Sequence, residues 1–215
     1  MTFYGRWILP QLTAWAMRTR ELTPYRARLV PRARGCVLEV GVGSGLNLPW
    51  YGPHVERVIG IEPSGALLRR AAALRARAAC PVHLLAAVAE AIPLATASID
   101  TAVMTWTLCS LGDARAGLRE IRRVLRPDGS LLFVEHGLAP DPGIAAWQHR
   151  LDPLWWQVSC HLDNPVEQLL AEAGFSLAEH ESGYLGTGPK FVTYMTEGLA
   201  RPGRLARQGG SATGY

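Results

Sequence analysis

Residues 37–45 read VLEVGVGSG, an apolar run that closes on Gly41, Gly43 and Gly45 at every second position. A β-branched run ending in glycines places a strand before a turn where a ligand can lie against bare backbone. By itself the stretch leaves open a dinucleotide, a phosphate or something else.

The spacing narrows the choice. A dinucleotide fingerprint reads GxGxxG, its third glycine letting the next helix pack on the strand, whereas here the pattern is GxGxG and Leu46 takes that place. A P-loop needs a lysine after its last glycine, and the only lysine of the chain is Lys190. Glu39 stands two residues before the first glycine; it would oppose a pyrophosphate but suits an ammonium or sulfonium. Glu62 closes the next apolar run, seventeen positions past Gly45, where a carboxylate can accept hydrogen bonds from both hydroxyls of a ribose. A nucleoside that carries a cation describes S-adenosylmethionine.

Further out, the runs CVLEVG, RVIGIE, VHLLAA, DTAVMT and SLLFVEH alternate with helical patterns. This predicts βαβ units and a doubly wound, Rossmann-like α/β fold with a mostly parallel seven-stranded sheet. Pro63 and Ser64 should start a helix over 65–79, and Asp113 should head another that ends before Pro127, Asp128 and Gly129 turn into SLLFVEH. Asn164 reads as the cap of NPVEQLLAEAGF, and the aromatic stretch before it as helical in pieces. FSLAEHES and KFVTYMTEGL, joined by YLGTGP, predict a C-terminal antiparallel hairpin.

The expected organisation is an N-terminal helical cap over 1–34, a ligand-binding domain over 35–198 with a lid-like insertion at about 138–163, and a flexible tail over 199–215. Tyr4, Trp7 and Tyr25 can cover the ligand, or Ile8, Leu12 and Trp15 can pack a helix on the domain.

Composition excludes several classes. No apolar run spans a membrane, and the N-terminal FYGRWILPQLTAWAM is broken by Arg6 and Pro10, so it reads as mature structure. The net charge of +4 comes from arginines scattered over helix faces, so a nucleic-acid partner is not expected. Cys36, Cys80, Cys109 and Cys160 have no metal-site spacing, which predicts free thiols, no bound metal and a cytoplasmic setting.

With these residues in view, the chain resembles the class I S-adenosylmethionine-dependent methyltransferases (methyltransferase type 11 domain). The resemblance runs through VLEVGVGSG, VIGIEPS, AEAIPLATASIDTAVM and LREIRRVLRPDGSLLFVEH. It implies that Gly41, Gly43 and Gly45 carry the methionine portion of the cofactor, Glu39 its ammonium and Glu62 its ribose, with Ala89 and Glu90 edging the adenine. Asn47, Leu48, Pro63, Thr105 and Leu108 complete the cofactor contacts it implies. Relatives that carry an Asp before the Ala-Glu pair differ from this chain, which has Val88.

A further resemblance, through TWTLCSLGD, FVEHG, WQHRLDPLWW and SCHLDNPVEQLLAEAGF, is to the branch that contains the microsomal alkyl-thiol methyltransferases and their bacterial relatives. It implies a small acceptor, a thiol first, a monomer or homodimer, and at most peripheral contact with a membrane. Trp106, Trp147, Trp155 and Trp156, with Leu151 and Leu154, can wall an apolar pocket or fill a core.

A thiol or hydroxyl acceptor profits from a base, and the candidates are Glu135, His136 and His161. Glu135 also reads as a carboxylate tied to main-chain amides, and His161 and Asp152 fall in the lid. Two other classes stay open on sequence: a methyltransferase acting on RNA or another macromolecule, and a protein that binds the cofactor without catalysis.

Overall fold

A computed structural model describes residue 17 and residues 19–156, 160–186 and 188–203. The strands are β1 (Gly35–Val40), β2 (Val55–Ile61), β3 (Val82–Leu85), β4 (Ile99–Thr105), β5 (Leu125–His136), β6 (Phe175–Tyr184) and β7 (Tyr194–Pro202). They form one seven-stranded sheet in the order β3-β2-β1-β4-β5-β7-β6. β1 to β5 are parallel, and β7 runs antiparallel between β5 and β6.

After β1 the chain builds outward through β2 and β3, then returns to lay β4 on the other side of β1. Strand order therefore reverses at β1, and the two crossovers leave a crevice at the carboxyl ends of β1 and β4. The central strands are buried on both faces, which explains why they read as continuous apolar runs rather than alternating ones.

The helices are α1 (Thr23–Leu29), α2 (Gly65–Leu74), α3 (Ala114–Val124), α4 (Pro142–Trp155), α5 (Val166–Glu172) and the single turn α6 (Lys190–Thr193). On one face of the sheet, Leu118, Ile121 and Val124 of α3 and Leu169 and Leu170 of α5 pack against Leu38, Met104 and Phe133. On the other, Leu29 of α1 and Ala71 of α2 pack with Val37, Val58, Val103 and Leu132. Each fully buried Leu, Ile or Val contributes about 1.5–3 kcal/mol. Two of the three caps read from the sequence are present: Ser64 Oγ accepts from Leu67 N, and Asp113 Oδ1 from Ala116 N at 2.9 Å.

Several local expectations are corrected. Asn164 does not cap α5: Pro165 holds the cap position, and the Asn164 carbonyl instead accepts from Leu138 N at 2.8 Å. Of the aromatic stretch, residues 147–155 lie in one helix, α4, and residues 160–164 lie outside any helix; Pro153 falls in the last turn of α4. The final strand begins at Tyr194, because residues 190–193 wind into α6 and the Phe191 carbonyl is held by Gln148 rather than by the sheet. β7 runs to Pro202, four residues past the expected boundary, since Leu199 and Ala200 pair with Leu132 and Leu131 of β5. β5 starts at Leu125, pairing with Ile99 before an irregularity absorbs the Pro127–Gly129 turn. Residues 1–16, and Tyr4, Trp7, Ile8, Leu12 and Trp15 with them, lie outside the described residues, as do residues 204–215.

α4 is anchored at its middle. Gln148, wholly buried, accepts from Ala139 N at 2.8 Å, and its two amide hydrogens are shared among the carbonyls of Gly137 at 3.0 Å, Leu162 at 2.9 Å and Phe191 at 3.1 Å. A buried amide with all its polar atoms engaged fixes one arrangement of the chains around it.

Candidate functional site

The crevice at β1 and β4 opens into a cavity of about 940 Å³. Its floor is the turn after β1, where Gly41, Gly43 and Gly45 have φ of +67°, +54° and +83°. The last two are bare for different reasons. A Cβ on Gly45 would meet the Ala71 Cα of α2 at 2.9 Å, so this glycine lets the helix approach. A Cβ on Gly43 would find only the Gly41 carbonyl, at 3.8 Å, and Gly43 lines the cavity. The close helix approach expected of a third glycine is thus supplied at position 45, one residue before Leu46.

Glu39, at the end of β1, is 2% exposed. Tyr51, itself buried, donates its hydroxyl to Glu39 Oε2 at 2.9 Å. Burial pushes the Glu39 carboxyl up to about 8, against the opposing pull of Tyr51, Asn47 and Arg26. Arg26 of α1 is buried beside it; its Nε donates to Asn47 Oδ1 at 3.2 Å and its Nη2 to the Met17 carbonyl at 3.0 Å. Burial lowers the Arg26 guanidinium to about 10, while Glu39 pulls it the other way. Asn47 links the pair to β4, donating to Thr105 Oγ1 at 3.0 Å.

Glu62, beyond β2, marks another part of the cavity. Its Oε1 accepts from Ser64 N at 2.9 Å and its Oε2 from Gly43 N at 3.3 Å. Burial raises its pKa, and the two amides pull it back. Glu90 ties the loop after β3 to the loop before α3, accepting from Gly112 N at 2.9 Å and Asp113 N at 3.2 Å.

Trp106, Leu111 and Trp156 also line the cavity. Trp106 has φ of +51°, a left-handed conformation rare for a bulky side chain, and Arg26 lies over its ring at 4.7 Å. Trp156 stacks on His161 at 4.0 Å, and His161 Nδ1 sits 2.9 Å from Asp152 Oδ2. The other Asp152 oxygen accepts from Leu162 N at 2.6 Å. Trp147 and Leu154 are exposed, whereas Trp155 packs edge-on against Phe191.

Of the residues expected to hold a cofactor, Glu39, Gly41, Gly43, Asn47, Glu62, Pro63, Ala89, Glu90 and Thr105 line the cavity. Gly45, Leu48 and Leu108 do not; Leu48 and Leu108 are fully buried in the two cores. None of the three expected bases lines it. Glu135 is wholly buried and accepts from Thr107 N and Leu108 N, both at 3.0 Å, so it braces the turn after β4. His136 is buried with Nε2 3.4 Å from the Phe191 carbonyl. His161 does not line the cavity itself but stacks on Trp156, which does. Arg26 and Tyr51 were not among the expected site residues; neither belongs to a local motif.

Comparison with known proteins decides the family. Residues 38–133 match the methyltransferase domain family. The chain is 34% identical over 152 residues to the thiol S-methyltransferase TMT1A of Homo sapiens, covering 68% of this chain and 62% of that one. The chain belongs to the S-adenosylmethionine-dependent methyltransferases. A second thiol S-methyltransferase, TMT1B of Rattus norvegicus, is 32% identical over 151 residues, covering 67% of this chain and again 62% of the relative. The match thus spans under two thirds of the length of these relatives.

The fold of the chain is shared with the N-methyltransferase NodS of Bradyrhizobium japonicum, solved with S-adenosylhomocysteine. The two superpose with a TM-score of 0.68 at 20% identity, covering 87% of this chain and 91% of that one. The cofactor of the family, S-adenosylmethionine, fits the residues present: bare backbone faces the cavity at Gly43, and Glu39 and Glu62 offer one carboxylate for a cation and one for a diol. Among the described residues no helix is long and apolar enough to cross a membrane.

Proposed function

We propose that the chain transfers a methyl group to a small, fairly apolar acceptor, a thiol first among them. When bound, S-adenosylmethionine supplies a methyl on a sulfonium, already a good leaving group. The protein's share is to orient it: Glu39 takes the ammonium, Glu62 the ribose hydroxyls, and the backbone at Gly41 and Gly43 the chain between. Ala89 and Glu90 border the adenine.

The observation that carries the acceptor reading is the aromatic wall of Trp106 and Trp156 in the same cavity as Glu39. Such a wall excludes water and favours an apolar acceptor over an extended charged polymer. The names of the two thiol S-methyltransferase relatives point to a thiol. Holding a nucleophile about 3 Å from the methyl supplies much of the acceleration.

Of the three expected bases His161 is the one we assign: it does not line the cavity itself but stacks on Trp156, which does. Asp152 engages its Nδ1, which leaves Nε2 as the basic atom. The role proposed for Asp152 is to fix this tautomer.

The test is turnover of methyl-labelled cofactor with a panel of alkyl and aryl thiols, phenols and amines. S-methyl products are expected. Product from a phenol or an amine with none from any thiol would overturn the assignment, and salt-sensitive retention of RNA would turn it toward a macromolecule.

A further inference from the structure

Four side chains able to ligate a metal meet where α4 faces the segment before α5. His149 and Asp152 stand three positions apart on α4, and His161 and Asp163 two apart on the segment. His161 Nδ1 sits 2.9 Å from Asp152 Oδ2, and His149 Nδ1 2.8 Å from Asp163 Oδ2. One ligand atom each from Asp152, His161 and Asp163 lie within 4.8 Å of one another. Atoms that share an ion at about 2.0–2.2 Å stand about 3–4 Å apart, so a small side-chain rotation closes the set. The backbone beneath is held in place: His161 N donates to the Cys109 carbonyl at 2.7 Å, Leu162 N to Asp152 Oδ1 at 2.6 Å, and Gln148 to the Leu162 carbonyl.

The side chains of Asp152 and Asp163 are 14% and 28% exposed. Among the described residues neither pairs with an arginine or lysine, and Arg150, two positions from Asp152, lies over the Trp147 ring instead. With neutral imidazoles the four side chains carry two negative charges in a largely buried place, a cost that a divalent cation offsets. One imidazole and two carboxylates suit Mn2+ or Zn2+ better than Mg2+, which keeps its waters and prefers oxygen. The sequence expectation of no bound metal rests on the cysteines and does not reach this set.

We propose that Asp152, His161 and Asp163 form a binding site for a divalent transition-metal ion, with His149 positioning Asp163, and that the ion switches off His161. The site stands on its own geometry; the switch rests on the role proposed for His161. An ion at Nδ1 takes the lone pair of that nitrogen, and the Nδ1 proton leaves to solvent. The neutral ring then carries its one proton on Nε2, which can no longer accept one from a thiol.

The test titrates the full chain with Mn2+ or Zn2+ alone by calorimetry, with Mg2+ as the control. One transition-metal ion should bind per chain, and Mg2+ about tenfold more weakly or less. Asp163→Asn should cut the affinity about hundredfold and His149→Ala about tenfold, with His149→Gln recovering part. His54→Ala, at an exposed histidine elsewhere, should change nothing. Equal affinity in the unmodified chain and Asp163→Asn, or an equal loss with His54→Ala, would overturn the site. For the switch, thiol turnover is compared with and without Mn2+ in each protein. Inhibition is expected in the unmodified chain and not in Asp163→Asn, which keeps His161 and Asp152. Equal inhibition of both would place the ion on the thiol and overturn the switch, as would binding without inhibition. Absence of thiol turnover before any metal is added would remove the proposed function, while calorimetry would still decide the site.

Discussion

Tyr51 and Glu39, twelve residues apart and both buried, meet at 2.9 Å from phenol to carboxylate. The bond favours the charged form of a carboxyl that burial drives the other way. Tyr51→Phe keeps the ring and removes the donor. It should weaken binding of S-adenosylmethionine about tenfold, the value of a hydrogen bond to a charged group, as read by calorimetry. Unchanged affinity would separate Tyr51 from the site.

The raised carboxyls give a pH dependence with a definite sign. Glu39 and Glu135 each move from 4.5 to about 8 in the folded chain, so the folded state holds more protons than the unfolded one between those values. Their contribution to stability is fully present below about pH 4.5 and is lost as pH rises through about 8. The ligand-free melting temperature should fall across that window, and Glu39→Gln should flatten the fall. A slope unaltered by that substitution would show that Glu39 is not the group titrating.

Two glycines of one turn should fail differently. Gly45→Ala places a methyl against α2 and should lower the melting temperature, with roughly 1–2 kcal/mol from the left-handed backbone alone. Gly43→Ala carries similar backbone strain but meets open space; its larger effect should be on cofactor affinity. Thermal melts with and without S-adenosylhomocysteine distinguish the two.

Glu62→Ala should weaken S-adenosylhomocysteine and methylthioadenosine alike, about tenfold or more, because both carry the ribose. Equal affinity for either ligand would sink the ribose role. The melting temperature should also drop a little, since Gly43 N and Ser64 N lose their acceptor.

His161→Ala should lower kcat with a thiol acceptor about a hundredfold near pH 7. The deficit should shrink toward the ordinary thiol pKa of about 8.5, where the acceptor ionises without help. Asp152→Asn should show a smaller deficit of the same pH shape. A loss that stays constant with pH would mark both residues as structural.

What the sequence discloses follows from where each cause acts. β1 and β4 are legible because strands buried on both faces read as apolar runs, β2 by its apolar second half, and Glu39 and Glu62 stand out as acids at the ends of such runs. Ser64 and Asp113 are legible because capping is a local bond. Arg26 and Tyr51 are not, since only the fold brings the helix before β1 and the connection after it to Glu39. Asn164 misleads for the same reason: its carbonyl is taken by Leu138, a partner twenty-six positions away in sequence. Residues 190–193 read as strand, yet Gln148 claims the Phe191 carbonyl from another element. Glu135 read as an amide-bound brace from its place at the end of an apolar strand, and that is where its bonds go.

The four bonds of Gln148 act as a rivet through the middle of α4. The rivet joins the helix to the chain after β5, to the segment before α5 and to α6, while Trp156 follows the far end of the helix and stacks on His161, the neighbour of Leu162. On the acceptor reading proposed above, position 148 is the one to keep Gln while Trp156 is varied, because its bonds hold the surrounding chain in place. An engineer seeking a new acceptor would keep the rivet and rewrite what lies beyond it.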